Sequence, residues 1–410
     1  SPSKADSPSQ GTNQDHLHRS LDRPQGPIVA VPGCSVVRPE GVGVSDLYVD
    51  PMGMTYLYNQ VDRVFHDAYA ASRHVYRYAD LEWSEVGIIF ALFRTHERAR
   101  GLIGGTVDAT AIDMEGLRTA IYRCQQLLVH ADTQARQAFD DYFPSGGPEP
   151  AALSAVVDEI RPDLPKVLAP GAFTDAAWEP SRYLQPPQVD TSSRPFQMDY
   201  LYDLLSPSSW VRQLGQWLLG FDPFEPWLQM LTGDWDGYAR CGIVWQQVGQ
   251  CAEDLCTNLV CAVQDVPFVW RGNGATLLQV SLLDHAVVLD HLGDACRFYA
   301  DRYRDAADSA YNCFDAVSSL IGDMLDRLFY ASIAASIGTA TFPSGIGPAT
   351  GYSVAAFYIA HALDIYFQIS AKIDALKTAI AGISAAMDAF EANQTWRLKE
   401  PAAFALPPTT

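Results

Sequence analysis

Apolar residues recur at alternating three- and four-residue steps through Tyr238, Cys241, Trp245, Val248, Ala252, Leu255, Leu259 and Ala262. That is the seam of a helix packed along a neighbour in coiled-coil fashion. A second seam follows through Ala275, Leu278, Leu282, His285, Leu289, Leu292, Cys296, Tyr299, Tyr303, Ala306, Ala310, Cys313, Val317, Leu320 and Met324, with His285 its one polar member. Between the two, Pro267 is expected to stop the first helix, Gly272 to take a left-handed turn and Asn273 to cap the second helix, with Trp270 as the apolar anchor of the turn. The pattern predicts an antiparallel hairpin of unequal arms. At ~1.5 Å per residue, 234 to 266 gives about 50 Å and 274 to 329 about 84 Å. The longer arm must overhang, and its cover is expected from tryptophan-rich helices before the hairpin and from a last helix, 351 to 393. That helix has Tyr352, Ala355, Ile359, Ala362, Tyr366, Ile369, Ile373, Leu376, Ile380, Ile383, Met387 and Phe390 in register.

The same stepping runs through Leu57, Val61, Val64, Ala68, Ala71, Val75 and Tyr78, and again through Met114, Leu117, Ile121, Cys124, Leu128, Ala131, Ala135 and Ala138. Residues 81 to 100 are helix-like and are expected to end at Gly101 and the Gly104-Gly105 pair. The predicted fold class is therefore all-α: long antiparallel helical hairpins in a coiled-coil-like bundle. The expected organisation is a leader rich in Ser, Pro, Gly and Asp over 1–47, an N-terminal helical domain over 48–145 and a proline-rich connector over 146–205, draped on helices or free as a linker. A hairpin domain with its alanine-rich last helix follows over 206–397, then a tail over 398–410. Trp83 and Gly87 raise a second, diverged hairpin as an option for the N-terminal domain, although the spacer between them is long.

Charge narrows the function classes. With 28 Lys and Arg against 48 Asp and Glu the formal net charge is −20. No basic stripe is left to neutralise phosphates, which argues against a nucleic-acid partner and disfavours an anionic membrane surface. No phosphate loop, nucleophile elbow, HExxH or paired CxxC occurs, and the glycines at 345, 347 and 351 follow an alanine-rich helix rather than a strand. His285 and His291 stand about 120° apart around a helix, and His66 and His74 about 12 Å apart along one. The His16/His18 pair lies in the leader. No catalytic residue, metal or cofactor is expected. Among the cysteines, Cys296 falls roughly level with Gln246 once the hairpin folds. One bridge to Cys241 or Cys251 stays open beside the alternative of buried free thiols. Trp210, Trp217, Trp227, Trp235 and Trp245 crowd one stretch. They read as core packing at a helix corner, or, for Trp210, Trp217 and Trp227, as a partner-docking face.

Trp270-Arg271-Gly272 between two uninterrupted seams resembles the Trp-x-Gly turn of the WxG family, small helical hairpins exported by bacterial type VII (ESX-type) secretion systems. Members often carry a Tyr-x-x-x-Asp/Glu export element on or after the second helix, and Tyr311-Asn-Cys-Phe-Asp315 stands there. The run 207 to 239, ending in Gly-Asp-Trp-Asp-Gly-Tyr, is similar to long actinobacterial members. The resemblance covers about 207 to 330 and, more weakly, the helix beyond. It implies a non-catalytic secretion substrate, or the export and delivery scaffold of a larger effector, leaving the cell without a cleaved Sec signal. Tyr311 and Asp315 would be the export signal. Its partners would be the type VII machinery and a small WxG protein or a second copy. A separate observation carries the alternative, a membrane-active protein. Residues 328 to 363 contain no Asp, Glu, Lys or Arg. Each arm about Pro343 and Pro348 is shorter than the ~20 residues that span a bilayer, so a hairpin buried at one end of the bundle is expected, with conditional insertion into lipid as the other option.

Overall fold

The computed structural model describes residues 47–81, 87–163, 170–189, 210–231, 233–340, 347–394, 397–399, 401 and 404. Asp50 opens the first long helix, α1 (Pro51–Tyr78). Its carboxylate accepts the Met52 N–H at 3.0 Å, and Pro51 presets the first turn. α2 (Phe90–His130) returns antiparallel to it, with Ser72 donating to Asp108 at 3.1 Å near one end and Gln125 to the Pro51 carbonyl at 2.8 Å near the other. The helix runs through Gly101, Gly104 and Gly105, where the sequence pattern predicts an end. Gly104 packs so closely that an added Cβ would lie 3.3 Å from Val75 Cγ1, and the packing of α2 outweighs the ~1 kcal/mol that each interior glycine costs. The chain then breaks at Ala131, and Asp132 restarts it as α3 (Thr133–Asp140), its side chain capping Ala135 N at 2.8 Å. Trp83, His16 and His18 lie outside the described residues.

The remaining elements are α4 (Pro150–Ile160), a 3-10 turn at Pro180–Tyr183, α5 (Trp210–Leu219), α6 (Glu225–Leu231), α7 (Trp235–Val269), α8 (Asn273–Ala340) and α9 (Gly347–Gln394). Two short strands, β1 (Tyr48–Val49) and β2 (Trp270–Arg271), pair antiparallel. The fold is all-α, and the two predicted seams form the α7/α8 hairpin. Glycine brings the arms together. A Cβ at Gly249 would lie 2.9 Å from Cys296 Cβ, so Cys296 faces Gly249 instead of another thiol. Cys124, Cys241, Cys251, Cys256, Cys261, Cys296 and Cys313 are all free thiols, and burial pushes those of Cys124, Cys241 and Cys256 up to about 12.

α1 lies along α7, where His74 Nε2 meets Gln247 Oε1 at 2.8 Å. α2 reaches α9 through Thr95, which donates to Asp388 at 3.0 Å, and Arg98, which donates to Glu391 at 2.9 Å. The described part of the connector is draped over α7. Asp265 accepts the backbone N–H groups of Gly171 and Phe173 at 3.1 and 2.9 Å, and Asn258 exchanges hydrogen bonds with both backbone groups of Ala177. Burial raises the Asp265 carboxyl, opposed by the two N–H groups.

α9 packs antiparallel along α8, beside α7 where Phe298 is stacked on Phe390 at 3.9 Å, and on past the end of α7 where Tyr330 is set against Tyr358 at 5.5 Å. One expectation fails at this end. The uncharged hairpin is not buried: Phe329, Tyr330, Ile333, Ile337, Tyr352, Val354 and Phe357 are all exposed. Nothing in the local pattern distinguishes an apolar arm covered by neighbours from one that extends past them.

Candidate functional site

The turn between α7 and α8 is held by contacts from β1, α3 and α8. Pro267, expected to end the first helix, lies inside its last turn. Proline offers no N–H to the Val263 carbonyl, and Gln279 of α8 supplies the missing donor, its Nε2 lying 2.9 Å from that oxygen. The chain then extends at Trp270 and Arg271 and pairs with Val49 and Tyr48, while Asp50 N donates to the Val269 carbonyl at 2.7 Å. Arg271 points outward with its guanidinium 5.6 Å from the Tyr48 ring centre. Trp270 turns inward and is 1% exposed.

Gly272 has φ +135°, a conformation that side-chain-bearing residues rarely adopt. A second constraint is steric, because a Cβ there would lie 2.4 Å from Asp140 Oδ1. That carboxylate belongs to the end of α3, is 2% exposed, and accepts the N–H groups of Asn273 at 3.0 Å and Gly274 at 3.1 Å. Asn273 is thus not its helix's own cap. Its side chain donates to the Asp140 carbonyl, and the anion at the positive end of α8 comes from a distant segment. Gly274 completes the arrangement, since a Cβ there would meet Trp270 Cζ2 at 2.8 Å. Glycine is therefore demanded by contacts at 272 and 274, and Trp270 is enclosed between them and the core. Asp140 was not legible in the sequence, where no local signal marks a carboxylate that caps a helix 133 residues away.

Tyr311 and Asp315 stand on α8 about 60 Å from the turn at ~1.5 Å per residue, so the two motifs are at opposite ends of the α7/α8 pairing. The Tyr311 hydroxyl donates to the carboxylate of Asp236 in the first turn of α7, and its ring packs partly buried against the core. Asp315 is exposed, one helical turn further on. Between them Phe314 is buried edge-on to Trp235 at 6.1 Å. Of the docking candidates, Trp227 is buried and stacked on Tyr366 at 5.0 Å, while Trp217 is 67% exposed. The Trp210 side chain lies outside the described residues.

Among the described residues the histidines buried beside α8 stand apart from one another, each with its own neighbours. His285 is buried, with Nδ1 2.7 Å from the Ser281 carbonyl and Nε2 3.3 Å from Asp113. His96 is fully buried, its Nδ1 2.6 Å from the Tyr303 hydroxyl. Desolvation first, then the nearby Arg100 charge, holds its pKa down to about 3. Among the described residues no three His, Cys, Asp or Glu side chains converge as a metal site. A groove of about 820 Å³ borders the turn between α4 and the ends of α7 and α8, lined by Leu153, Val157, Phe268, Trp270 and Thr276. Arg161 on its edge is committed to Asp290 and to Thr257. No protein-family model, curated protein or solved structure matches the chain.

Proposed function

We propose that this chain is a non-catalytic substrate of a type VII (ESX-type) secretion system, exported alone or as the delivery scaffold of a larger effector. The observation that carries the reading is the turn. Trp270 and Gly272 stand at the closed end of a long helical hairpin, where Trp270 is fully enclosed against Gly274 and a side chain at 272 would meet both a positive φ and the Asp140 carboxylate. A chance Trp-x-Gly tripeptide need not occupy such a turn.

Tyr311 and Asp315 are the proposed export element. A receptor for such a pair needs an aromatic slot and a cationic group one helical turn apart. Asp236 fixes the direction of the Tyr311 side chain in advance, which lowers the ordering cost of docking. Asp315 is exposed for a charge-assisted contact. The partner is the secretion machinery, with a small WxG protein or a second copy docking beside the exposed Trp217. Secretion from a host with a type VII system tests the element, comparing Tyr311→Ala and Asp315→Ala after melting curves establish that both fold. Each should abolish export, and normal secretion of both would remove the recognition role.

A further inference from the structure

Past the level of Asp326 and Arg327 on α8, and of Asp364 on α9, the two helices project as a hairpin without a formal charge up to 340 on one arm and from 347 on the other. Its packing is inverted relative to a water-facing hairpin. The seam between the arms is made of small residues, with Ala331, Ala334, Ala355 and Ala362 buried below Leu328. The large apolar side chains point away from it: Phe329, Ile333 and Ile337 on one arm, Tyr352, Val354 and Phe357 on the other. Small residues inside and large apolar ones outside is the distribution that hydrocarbon selects, because lipid gives no reason to bury leucine and close backbone packing holds the helices together.

Two further features identify what surrounds it. Between 351 and 363 α9 carries no formal charge, its exposed positions there being apolar or small apart from Ser353, Tyr352 and His361, and it is the one described helix long and apolar enough to cross a membrane. Only 17% of the qualifying window is buried within the protein. An uncharged hairpin end with large apolar side chains exposed on both arms belongs in a core or in lipid. The hydroxyls on the α8 arm are also satisfied from within: Ser332, Ser336 and Thr339 each donate to the carbonyl three residues back at 2.7 Å. They carry little unmet hydrogen-bonding demand into an apolar medium.

From these features we propose that the free end of the α8/α9 hairpin inserts into one leaflet of a lipid bilayer, independently of how the chain is exported. The arm from 328 to 340 reaches about 20 Å beyond the charged boundary at ~1.5 Å per residue. That is enough to pass one leaflet of a ~30 Å hydrocarbon core and short of crossing it. Tyr330 and Tyr358, paired about one turn past the boundary, sit at the depth where tyrosine prefers the headgroup interface. The chain's formal net charge of −20 makes zwitterionic lipid the preferred surface, with anionic lipid repelling the body of the protein.

Flotation of the full chain with phosphatidylcholine vesicles tests this, compared with an Ile333→Asp/Phe357→Asp double variant. Both side chains are exposed, so the variant should fold, as checked by its melting curve. Should the aspartates perturb the helices, Ile333→Ser/Phe357→Ser makes the same comparison. The parent should float, the double variant should partition at least ~10-fold less, and added phosphatidylserine should weaken binding most at low salt. A Phe357→Trp variant should gain quenching by bromine-labelled lipid over the parent. A parent that stays in the soluble fraction, or a double variant that floats equally, would overturn the proposal. So would a concentration-dependent dimer that the double variant abolishes without any flotation of the parent, since a second copy would then cover the tip.

Discussion

The two halves of α8 share one backbone and opposite solvents. Its first half is walled in by α7, α2 and α4, and its buried face carries Leu282, Leu289, Tyr299 and Tyr303, the last against Trp245 and Tyr238, with charged residues such as Arg297 and Asp301 outside. Beyond Leu328 alanines fill the seam with α9, and phenylalanine and isoleucine face outward. Apolar content alone does not separate these halves. The size of the residue at the seam does, because a large side chain inside implies water outside, and a small one inside with large ones outside implies an apolar surrounding.

The largest effect that tests this contrast is at the turn end. Trp270→Ala should cost ~3–5 kcal/mol, since the indole is fully enclosed and a cavity would remain. A denaturant melt unchanged by the substitution would show that the covered end is no better packed than the free one. His96 comes next. Its folded pKa of about 3 lies below the ordinary 6.5, so from 6.5 downward the unfolded chain binds a proton that the folded one refuses. Its contribution is full above pH 6.5 and is lost as the pH falls toward 3, at up to ~1.4 kcal/mol per pH unit. Melts at pH 7 and pH 5 should show a steeper decline for the parent than for His96→Gln. Equal declines would mean that water reaches the interior of the first half.

Asp140→Ala removes the borrowed cap of α8 and should cost ~1–2 kcal/mol, with hydrogen exchange faster at Asn273 and Gly274 than elsewhere in the helix. Uniform exchange along α8 would mean that the cap is dispensable. The smallest effect belongs to the free end. Phe357, 58% exposed, should change stability in solution by no more than ~0.5 kcal/mol when replaced by alanine. A loss comparable to that at Trp270 would erase the contrast between the two ends.

Much of this was legible along the chain because the signals are local. Seam spacing located α1, α7, α8 and α9, since a 3.6-residue period needs no knowledge of the partner that covers it. Trp270 and Gly272 were readable as a turn for the same reason. Where the reading failed, a distant group had intervened. The glycines of α2 do not end it because Val75 and Tyr76 pack there, and Pro267 does not stop α7 because Gln279 replaces its missing donor. Asn273 does not cap α8 because Asp140 does.

By itself the sequence determined an all-α chain, the position of the hairpin turn, a formal net charge of −20 and an uncharged stretch near residue 340. Each of these depends on residue type and spacing alone. Only the tertiary structure decided that β1 pairs with the turn, that Asp140 fills the space glycine leaves at 272, that Asp236 holds Tyr311, and that the uncharged hairpin stands exposed. These are contacts between residues far apart in the chain, and an apolar side chain carries no mark of whether a neighbour, water or lipid will lie against it.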